Sequence, residues 1–288
     1  VDKDIQKAIH WYELSSEQGH GQATYNLGMI YLLGKENVEK DIDKAFAYIE
    51  KAAELEYPEA LFKLGVLYFQ GEDGIIMDKE KAIECWKKGS ELGDSGSTKN
   101  IGLCLKRGEG VPQNFTEAIH WFEKAMNQGS IDAIIELGLA YDDNGLTTPD
   151  YEKAAGYYAE AYSEGSAQGA FLLGLMYEEG KGVNKDLAKA FELYKYAGEH
   201  GLARGVAKMG ICYHDGLGVE KDVSKAVECF EKAKAMGDEG ADNLLAFVYT
   251  KGKKDEADPK KVFEFNLKRA EDGDAEARYQ VYSAYENG

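Results

Sequence analysis

A single glycine recurs along this chain at a nearly constant interval. The distance between successive copies is 37 residues twice and 36 residues thereafter, and Ala246 and Tyr282 take the same position at the end of the series. A fixed period of this length is the signature of stacked helical repeats, and it limits the fold more than any local propensity does. The glycines, called anchors below, are Gly28, Gly65, Gly102, Gly138, Gly174 and Gly210.

The residues around each anchor predict an amphipathic helix, called helix A. Three residues after the anchor stands an aromatic or similar apolar side chain, such as Tyr31 or Tyr177, and this spacing puts both positions on one helical stripe. Six residues after the anchor a glycine or asparagine supplies the left-handed cap that ends a helix. The predicted caps are Gly34, Gly71, Gly108, Asn144, Gly180, Gly216 and Gly252.

A second helix, called helix B, is predicted after each of these caps. It starts at a residue with a short side-chain acceptor, which suits the free N–H groups of a helix start. An alanine or, once, a valine follows four residues later, and a glycine closes the helix eleven residues further on, with Glu56 as the exception. The predicted starts are Asp41, Asp78, Asn114, Asp150, Asp186, Asp222 and Asp258.

Each predicted helix pair is too small to bury its apolar stripe alone, so neighbouring pairs must stack into a superhelical solenoid. The predicted fold is therefore all-α, with about seven complete helix-turn-helix repeats of 36–37 residues. We expect residues 1–288 to form a single solenoid. Its parts are a partial repeat with helix B only at 1–21, full repeats at 22–58, 59–95, 96–131, 132–167, 168–203, 204–239 and 240–275, and a partial repeat with helix A only at 276–288.

The charge of the chain argues against several classes of partner. With 52 acidic and 34 basic residues, the net charge is −18, which repels nucleic-acid backbones and anionic lipid surfaces. No apolar run approaches the ~20 residues that a membrane helix needs. We therefore expect no nucleic-acid partner and no membrane insertion of this chain.

The loop before helix B and the start of that helix resemble a known family. The stretches GKGVNKDLAKA at 180–190 and GLGVEKDVSKA at 216–226 are similar to the Sel-one-like repeat, a relative of the tetratricopeptide repeat, and the likeness extends over essentially the whole chain. The last repeat departs from the pattern at Ala246 and Val262. The resemblance implies a right-handed α-α superhelix that acts as an adaptor holding other proteins, in signalling, secretion, host contact or quality control.

The four cysteines, Cys85, Cys104, Cys212 and Cys229, replace apolar residues of the repeat, so we predict small core side chains. Some secreted relatives of the family staple each helix pair with a disulfide, and only Cys212 with Cys229 could do so here within one repeat. The lack of a regular pair per repeat favours a reducing compartment such as the cytoplasm. The chain begins with valine, so a secreted or periplasmic location stays open if a leader was removed.

Similarity to related solenoids implies that the A helices line a concave wall, which is the predicted binding surface. Its positions lie six and three residues before the anchor and one, four and five after it, on one helical face. The wall is first apolar, then basic, then acidic, which favours a protein or peptide with apolar anchors and a basic stretch. The predicted partner-binding residues are Tyr25, Met29, Phe62, Val66, Phe69, Lys99, Lys106, Arg107, Asp142, Asp143, Phe171, Glu178 and Glu179.

A plainer interpretation of these residues stays open. Met29 and Val66 occupy a position that also suits packing between adjacent A helices, and paired acids at a helix end are usually just solvated. A further repeat, in a longer protein, could also cover the first part of the wall.

Catalytic signals are weak. The string GDSGS at 93–97 contains the surroundings of a serine-protease nucleophile, but in register it is the turn between two repeats, and short motifs of this kind often match by chance. We therefore predict a non-enzymatic scaffold with no catalytic, cofactor-binding or metal-binding residues. The alternative is a secreted or periplasmic hydrolase acting on peptide or cell-wall material, as has been suggested for some secreted relatives, and Ser95 would be its test residue.

Overall fold

The structure, a computed structural model, describes residues 4–34, 37–71, 74–142, 148–251 and 259–287. Within these ranges the chain forms sixteen α-helices and no strand. Even-numbered helices are A helices and odd-numbered ones are B helices. Their bounds are α1 (Ile5–Glu17), α2 (Gly21–Leu33), α3 (Ile42–Glu54), α4 (Pro58–Gln70), α5 (Lys79–Glu91), α6 (Ser95–Arg107), α7 (Phe115–Asn127), α8 (Ile131–Tyr141), α9 (Tyr151–Ser163), α10 (Ala167–Glu179), α11 (Leu187–Glu199), α12 (Ala203–Asp215), α13 (Val223–Ala235), α14 (Ala241–Lys251), α15 (Pro259–Glu271) and α16 (Ala275–Asn287).

The chain folds as two compact units, Val1–Pro149 and Asp150–Gly288. In the first unit an A helix such as α4 packs on the B helix before it and on the B helix after it. In the second unit α10 and α12 pack in the same way. This arrangement confirms the predicted all-α repeat fold, because each helix buries its apolar stripe only against its neighbours.

At four of the anchors, Gly65, Gly102, Gly174 and Gly210, an aromatic ring of helix B rests on helix A, and at Gly28 the side chain of Ile49 takes this place. A Cβ built on Gly102 would lie 2.5 Å from Cε1 of Phe122, and one built on Gly174 would lie 2.7 Å from Cε1 of Tyr194. Phe122 and Tyr194 are fully buried. The repeat therefore keeps glycine at the anchor because any larger side chain would push the ring of helix B away.

The seventh repeat changes both partners of this contact. Ala246 takes the anchor position in α14, and Asn266 takes the position of the aromatic residue in α15. Asn266 is buried, and its Oδ1 accepts no hydrogen bond from the residues that the structure describes. The larger anchor thus accompanies a smaller side chain in helix B.

The predicted ends of the A helices are confirmed wherever the structure describes them. Gly34, Gly71, Gly108, Gly180 and Gly216 are left-handed C-caps, and the N–H of each donates to a carbonyl of the preceding helical turn. The remaining predicted caps, Asn144 and Gly252, lie outside the described residues.

The predicted starts of the B helices are confirmed from Asp41 to Asp222, and Asp258 lies outside the described residues. At Asp41 the carboxylate accepts the N–H of Lys44 at 3.0 Å, and the Lys44 ammonium lies 3.5 Å from the second carboxylate oxygen. The same ammonium lies 5.2 Å from the ring centre of Tyr31 in the preceding A helix. One lysine thus ties the start of helix B to helix A through an ion pair and a cation–π contact.

This unit of aspartate, lysine and tyrosine recurs in other repeats. In the repeat that lacks it, all three residues are replaced. Asp222, Lys225 and Tyr213 repeat it in α12 and α13. In the third repeat the corresponding residues are Asn114, Glu117 and Leu105. The repeated Asp-x-x-Lys spacing of this chain is therefore a structural link between two helices.

Candidate functional site

The apolar part of the predicted wall lies in the first unit, on α2 and α4. Tyr25 and Met29 are half-buried and pack against a core that contains Leu32 and Leu61. The Tyr25 ring lies 5.5 Å from the ring of Tyr57, at the start of the next A helix. Burial raises the pKa of Tyr25, and the neighbouring Tyr57 and Glu59 raise it further, so the hydroxyl stays neutral.

Leu33 and Phe62 extend this surface. Leu33 ends α2 and is 53% exposed. Phe62 is half-buried, and a Cβ built on Gly96 in α6 would lie 3.0 Å from its Cε2. The Phe62 ring therefore covers the start of the following A helix and keeps part of its face in contact with solvent.

Phe69 contacts two side chains of the following helix B, α5. Its ring lies 5.5 Å from the indole of Trp86 and 4.9 Å from the ammonium of Lys79. Val66 is half-buried one turn earlier. We call the surface formed by Tyr25, Met29, Leu33, Phe62, Val66 and Phe69 the unit-1 face.

The predicted basic residues of α6 are engaged within the protein. The Lys99 ammonium lies 2.6 Å from Asp132 Oδ2, and the Lys106 ammonium lies 2.8 Å from Glu136 Oε2, both in the next A helix. Arg107 is more exposed and lies 4.0 Å from Glu109. Two of the three predicted basic residues, Lys99 and Lys106, are therefore neutralised by acidic residues of the following repeat.

The predicted acids are engaged as well. Glu178 accepts hydrogen bonds from the Tyr194 hydroxyl and from the Lys208 ammonium, the latter at 2.9 Å. Glu179 lies 2.8 Å from the ammonium of Lys181. Asp142 caps α8 through its N–H, which donates to Gly138, while Asp143 lies outside the described residues.

Phe171 differs from the sequence-based expectation. Only 2% of its surface is exposed, because the Tyr194 ring lies 5.8 Å away and the Arg204 guanidinium covers it at 4.9 Å. A partner cannot reach this ring in the folded protein, so Phe171 is a packing residue of the second unit.

The charge pairs follow a positional rule that the sequence interpretation missed. Lys106 and Glu178 each lie four residues after an anchor, and their partners Glu136 and Lys208 each lie two residues before the next anchor. The order of the charges is reversed between these two pairs. In the sequence, the two members of each pair have opposite charges and stand thirty residues apart, and this spacing could have predicted the pairs.

The string GDSGS forms the start of α6. Asp94 is the N-cap, and its Oδ1 accepts the N–H of Ser97 at 2.6 Å. The Asp94 carbonyl also accepts the Thr98 hydroxyl at 2.9 Å. These bonds account for the motif as a helix start.

The cysteines are free thiols in the structure, including Cys212 and Cys229. Burial raises the pKa of the Cys104 and Cys212 thiols to about 11. Both therefore stay protonated and unreactive near neutral pH. In the part of the chain that the structure describes, no three His, Cys, Asp or Glu side chains come together as a metal site.

Comparison with known protein families identifies the type of repeat. A family model described as the Sel1 repeat matches residues 1–20, 21–57, 58–94, 98–130, 131–166, 167–202 and 203–238. The chain belongs to the Sel1 repeat family. Proteins of this family generally serve as protein-interaction scaffolds and are typically not enzymes. A search of curated protein sequences finds no match to this chain.

Solved structures support the same assignment. The crystal structure of c5321, described as a protective antigen of uropathogenic Escherichia coli with an SLR fold, shares 28% identity with a TM-score of 0.80 and covers 97% of this chain. This Sel1 repeat chain spans 60% of that structure's length. A Sel1 repeat protein from Oxalobacter formigenes shares 28% identity with a TM-score of 0.70, covering 81% of this chain and 99% of its own.

Yeast Tom70 resembles the chain in fold alone. It shares 18% identity with a TM-score of 0.53 and covers 98% of this chain and 58% of its own.

Among the helices that the structure describes, none is both long enough and apolar enough to span a bilayer.

Proposed function

We propose that this Sel1 repeat chain is a non-enzymatic scaffold that binds a segment of another protein on the unit-1 face. The observation that carries the proposal is the run of apolar side chains on α2 and α4, of which Leu33 is 53% exposed and Tyr25, Met29 and Phe62 are only half-buried. Contiguous apolar side chains at a protein surface are typical of binding sites.

The charges of the wall play a smaller part in this proposal than the sequence suggested. Lys99, Lys106 and Glu178 are already held by neighbours in the next A helix. Breaking such a pair to bind a partner would cost the pairing energy and leave one charge unsatisfied. The apolar anchors of the partner therefore supply the affinity, as buried hot spots do in most interfaces.

Site-specific photo-crosslinking in cells tests the proposal. A photoreactive phenylalanine analogue is placed at Leu33 on the unit-1 face, and at Trp11 as a control, because Trp11 is 67% exposed on the B helix α1. We expect protein adducts from position 33 and none of the same mass from position 11. Identical adducts from both positions, or none from position 33, reject the unit-1 face.

A pair of substitutions tests the same face by affinity. Tyr25→Ser with Phe62→Ser removes two of its three half-buried aromatic side chains and leaves the third, Phe69, in place, because Phe69 contacts Trp86. We expect at least about a tenfold loss of affinity for the crosslinked partner, since anchor residues typically contribute about 2 kcal/mol or more. Trp11→Ser is the control, and far-UV circular dichroism establishes that both variants are folded.

A further inference from the structure

One lysine beside the unit-1 face breaks the rule of paired charges. Lys63 in α4 lies two residues before the anchor Gly65, as Glu136 and Lys208 do before theirs. Those two residues each pair with a charge four residues after the preceding anchor. For Lys63 the corresponding residue is Leu32, which is buried in the core and carries no charge.

Lys63 therefore keeps an unused ammonium group. It is half-buried, yet it forms no ion pair or hydrogen bond with any residue in the described ranges. Glu59 is one helical turn earlier, the usual position for an i, i+4 partner. It lies instead beside the hydroxyls of Tyr25 and Tyr57, whose pKa values are raised by burial and further by this carboxylate.

The position of Lys63 relates this charge to the apolar surface. It directly follows Phe62 in α4, and by repeat equivalence it faces α2, which carries Tyr25, Met29 and Leu33. An ammonium with no partner in the described ranges can form a charge-assisted hydrogen bond with a carboxylate of a bound segment.

Resting on the proposed function, we propose that the segment bound on the unit-1 face carries a carboxylate next to its apolar anchors, and that this carboxylate pairs with Lys63. This replaces the basic stretch that the sequence pattern favoured. The chain as a whole has a net charge of −18, which repels an acidic segment from a distance. Any preference for an acidic segment must therefore come from a local contact.

Binding of three synthetic peptides tests the inference. The peptides carry fluorescein and the same Leu and Phe anchors, and they differ only in having Glu, Gln or Lys beside those anchors. Affinity is measured by fluorescence anisotropy on the full chain. We expect the wild type to bind the Glu peptide about tenfold more tightly than the Gln peptide, since the carboxylate can form a charge-assisted hydrogen bond with Lys63 and the neutral amide cannot.

Variants of Lys63 assign the preference to this side chain. Lys63→Gln should abolish the difference between the Glu and Gln peptides, and Lys63→Glu should reverse it in favour of the Lys peptide. Lys87→Gln removes the same charge from an exposed position of the B helix α5, and it should leave the preference unchanged. Equal binding of the Glu and Gln peptides by the wild type, or an unchanged preference in Lys63→Gln, overturns the inference.

The Gln peptide separates this inference from the proposed function. Its binding should depend on Tyr25 and Phe62 and should be unaffected in Lys63→Gln. If it binds the wild type and the variant that combines Tyr25→Ser with Phe62→Ser equally, the unit-1 face is wrong, whatever the charge preference. If the wild type binds none of the three peptides, both proposals are rejected.

Discussion

The indole of Trp86 in α5 rests on Gly65 in α4, where an added Cβ would lie 2.6 Å from the ring carbon Cδ1. Trp86 is buried, and its Nε1 donates a hydrogen bond to the carbonyl of Phe62 at 3.2 Å. This contact links the anchor of the repeat to the residue that forms part of the unit-1 face. The spacing of the A and B helices therefore also sets the position of Phe62.

Gly65→Ala should destabilise the protein although alanine is the better helix former. Overpacking a core typically costs about 1–3 kcal/mol, while alanine recovers up to about 1 kcal/mol of helix propensity. We expect a net decrease of about 1–2 kcal/mol in the free energy of unfolding, measured by denaturant titration with circular dichroism.

Gly156→Ala is the matched control for this substitution. Gly156 also lies within a helix, α9, but a Cβ there would meet no atom within 4 Å. It should raise the free energy of unfolding by up to about 1 kcal/mol. A stabilising Gly65→Ala would contradict the packing role of the anchor.

Glu56→Gly should stabilise the protein. Glu56 follows α3 with a φ of 56°, whereas Gly93 holds the equivalent position after α5 with a φ of 91°. A left-handed residue other than glycine costs about 1–2 kcal/mol, and the more flexible unfolded chain of the variant offsets part of that gain. We expect a net increase of about 1 kcal/mol in the free energy of unfolding, by the same titration.

The converse substitution, Gly93→Ala, provides the control at the equivalent position. No atom lies within 4 Å of a Cβ built there, so any loss of stability reflects the backbone conformation alone. If Glu56→Gly is neutral while Gly93→Ala is destabilising, the left-handed conformation of Glu56 is not strained.

The period of the sequence predicted the helices but could not predict all of their contacts. Gly71 ends a helix and Asp78 starts one because of their own backbone and side-chain chemistry. Since such residues recur at a fixed interval in every repeat, the sequence alone predicts them. The burial of Phe171 depends on Arg204, a residue of the next repeat, and the unused charge of Lys63 depends on Leu32, a residue of the preceding one. Both features depend on how successive A helices are placed against each other. The sequence of a single repeat does not contain this information.

The link between helices A and B should weaken in acid. The pKa of Asp222 is held below its usual 3.8, mainly by the N–H of Lys225 and then by the Lys225 ammonium. Because the folded-state pKa is lowered, the stabilisation is complete above the unfolded-state value. It is lost as the pH falls through the folded-state value.

Melting temperatures of the wild type and Asp222→Asn, measured from neutral pH to below the usual aspartate pKa, check this expectation. The wild type should melt higher at neutral pH, and the difference should shrink in acid. Glu231→Gln, on the exposed side of the same helix α13, controls for the lost charge. A difference that does not change with pH would mean that the ion pair and the charge-assisted cap do not contribute.

The ion pair between Lys106 in α6 and Glu136 in α8 should tolerate reversal of both charges together but not of either one alone. Lys106→Glu or Glu136→Lys alone places like charges where 2.8 Å now separates an ammonium and a carboxylate. We expect each single substitution to cost about 1–2 kcal/mol of unfolding free energy, within the usual range for disruptive point changes. The double reversal should restore most of this loss, because Glu178 and Lys208 already use the reversed order at the equivalent positions. A double-mutant cycle should give a coupling energy of about 0.5–3 kcal/mol, and additive losses would show that the positional rule does not describe an energetic interaction.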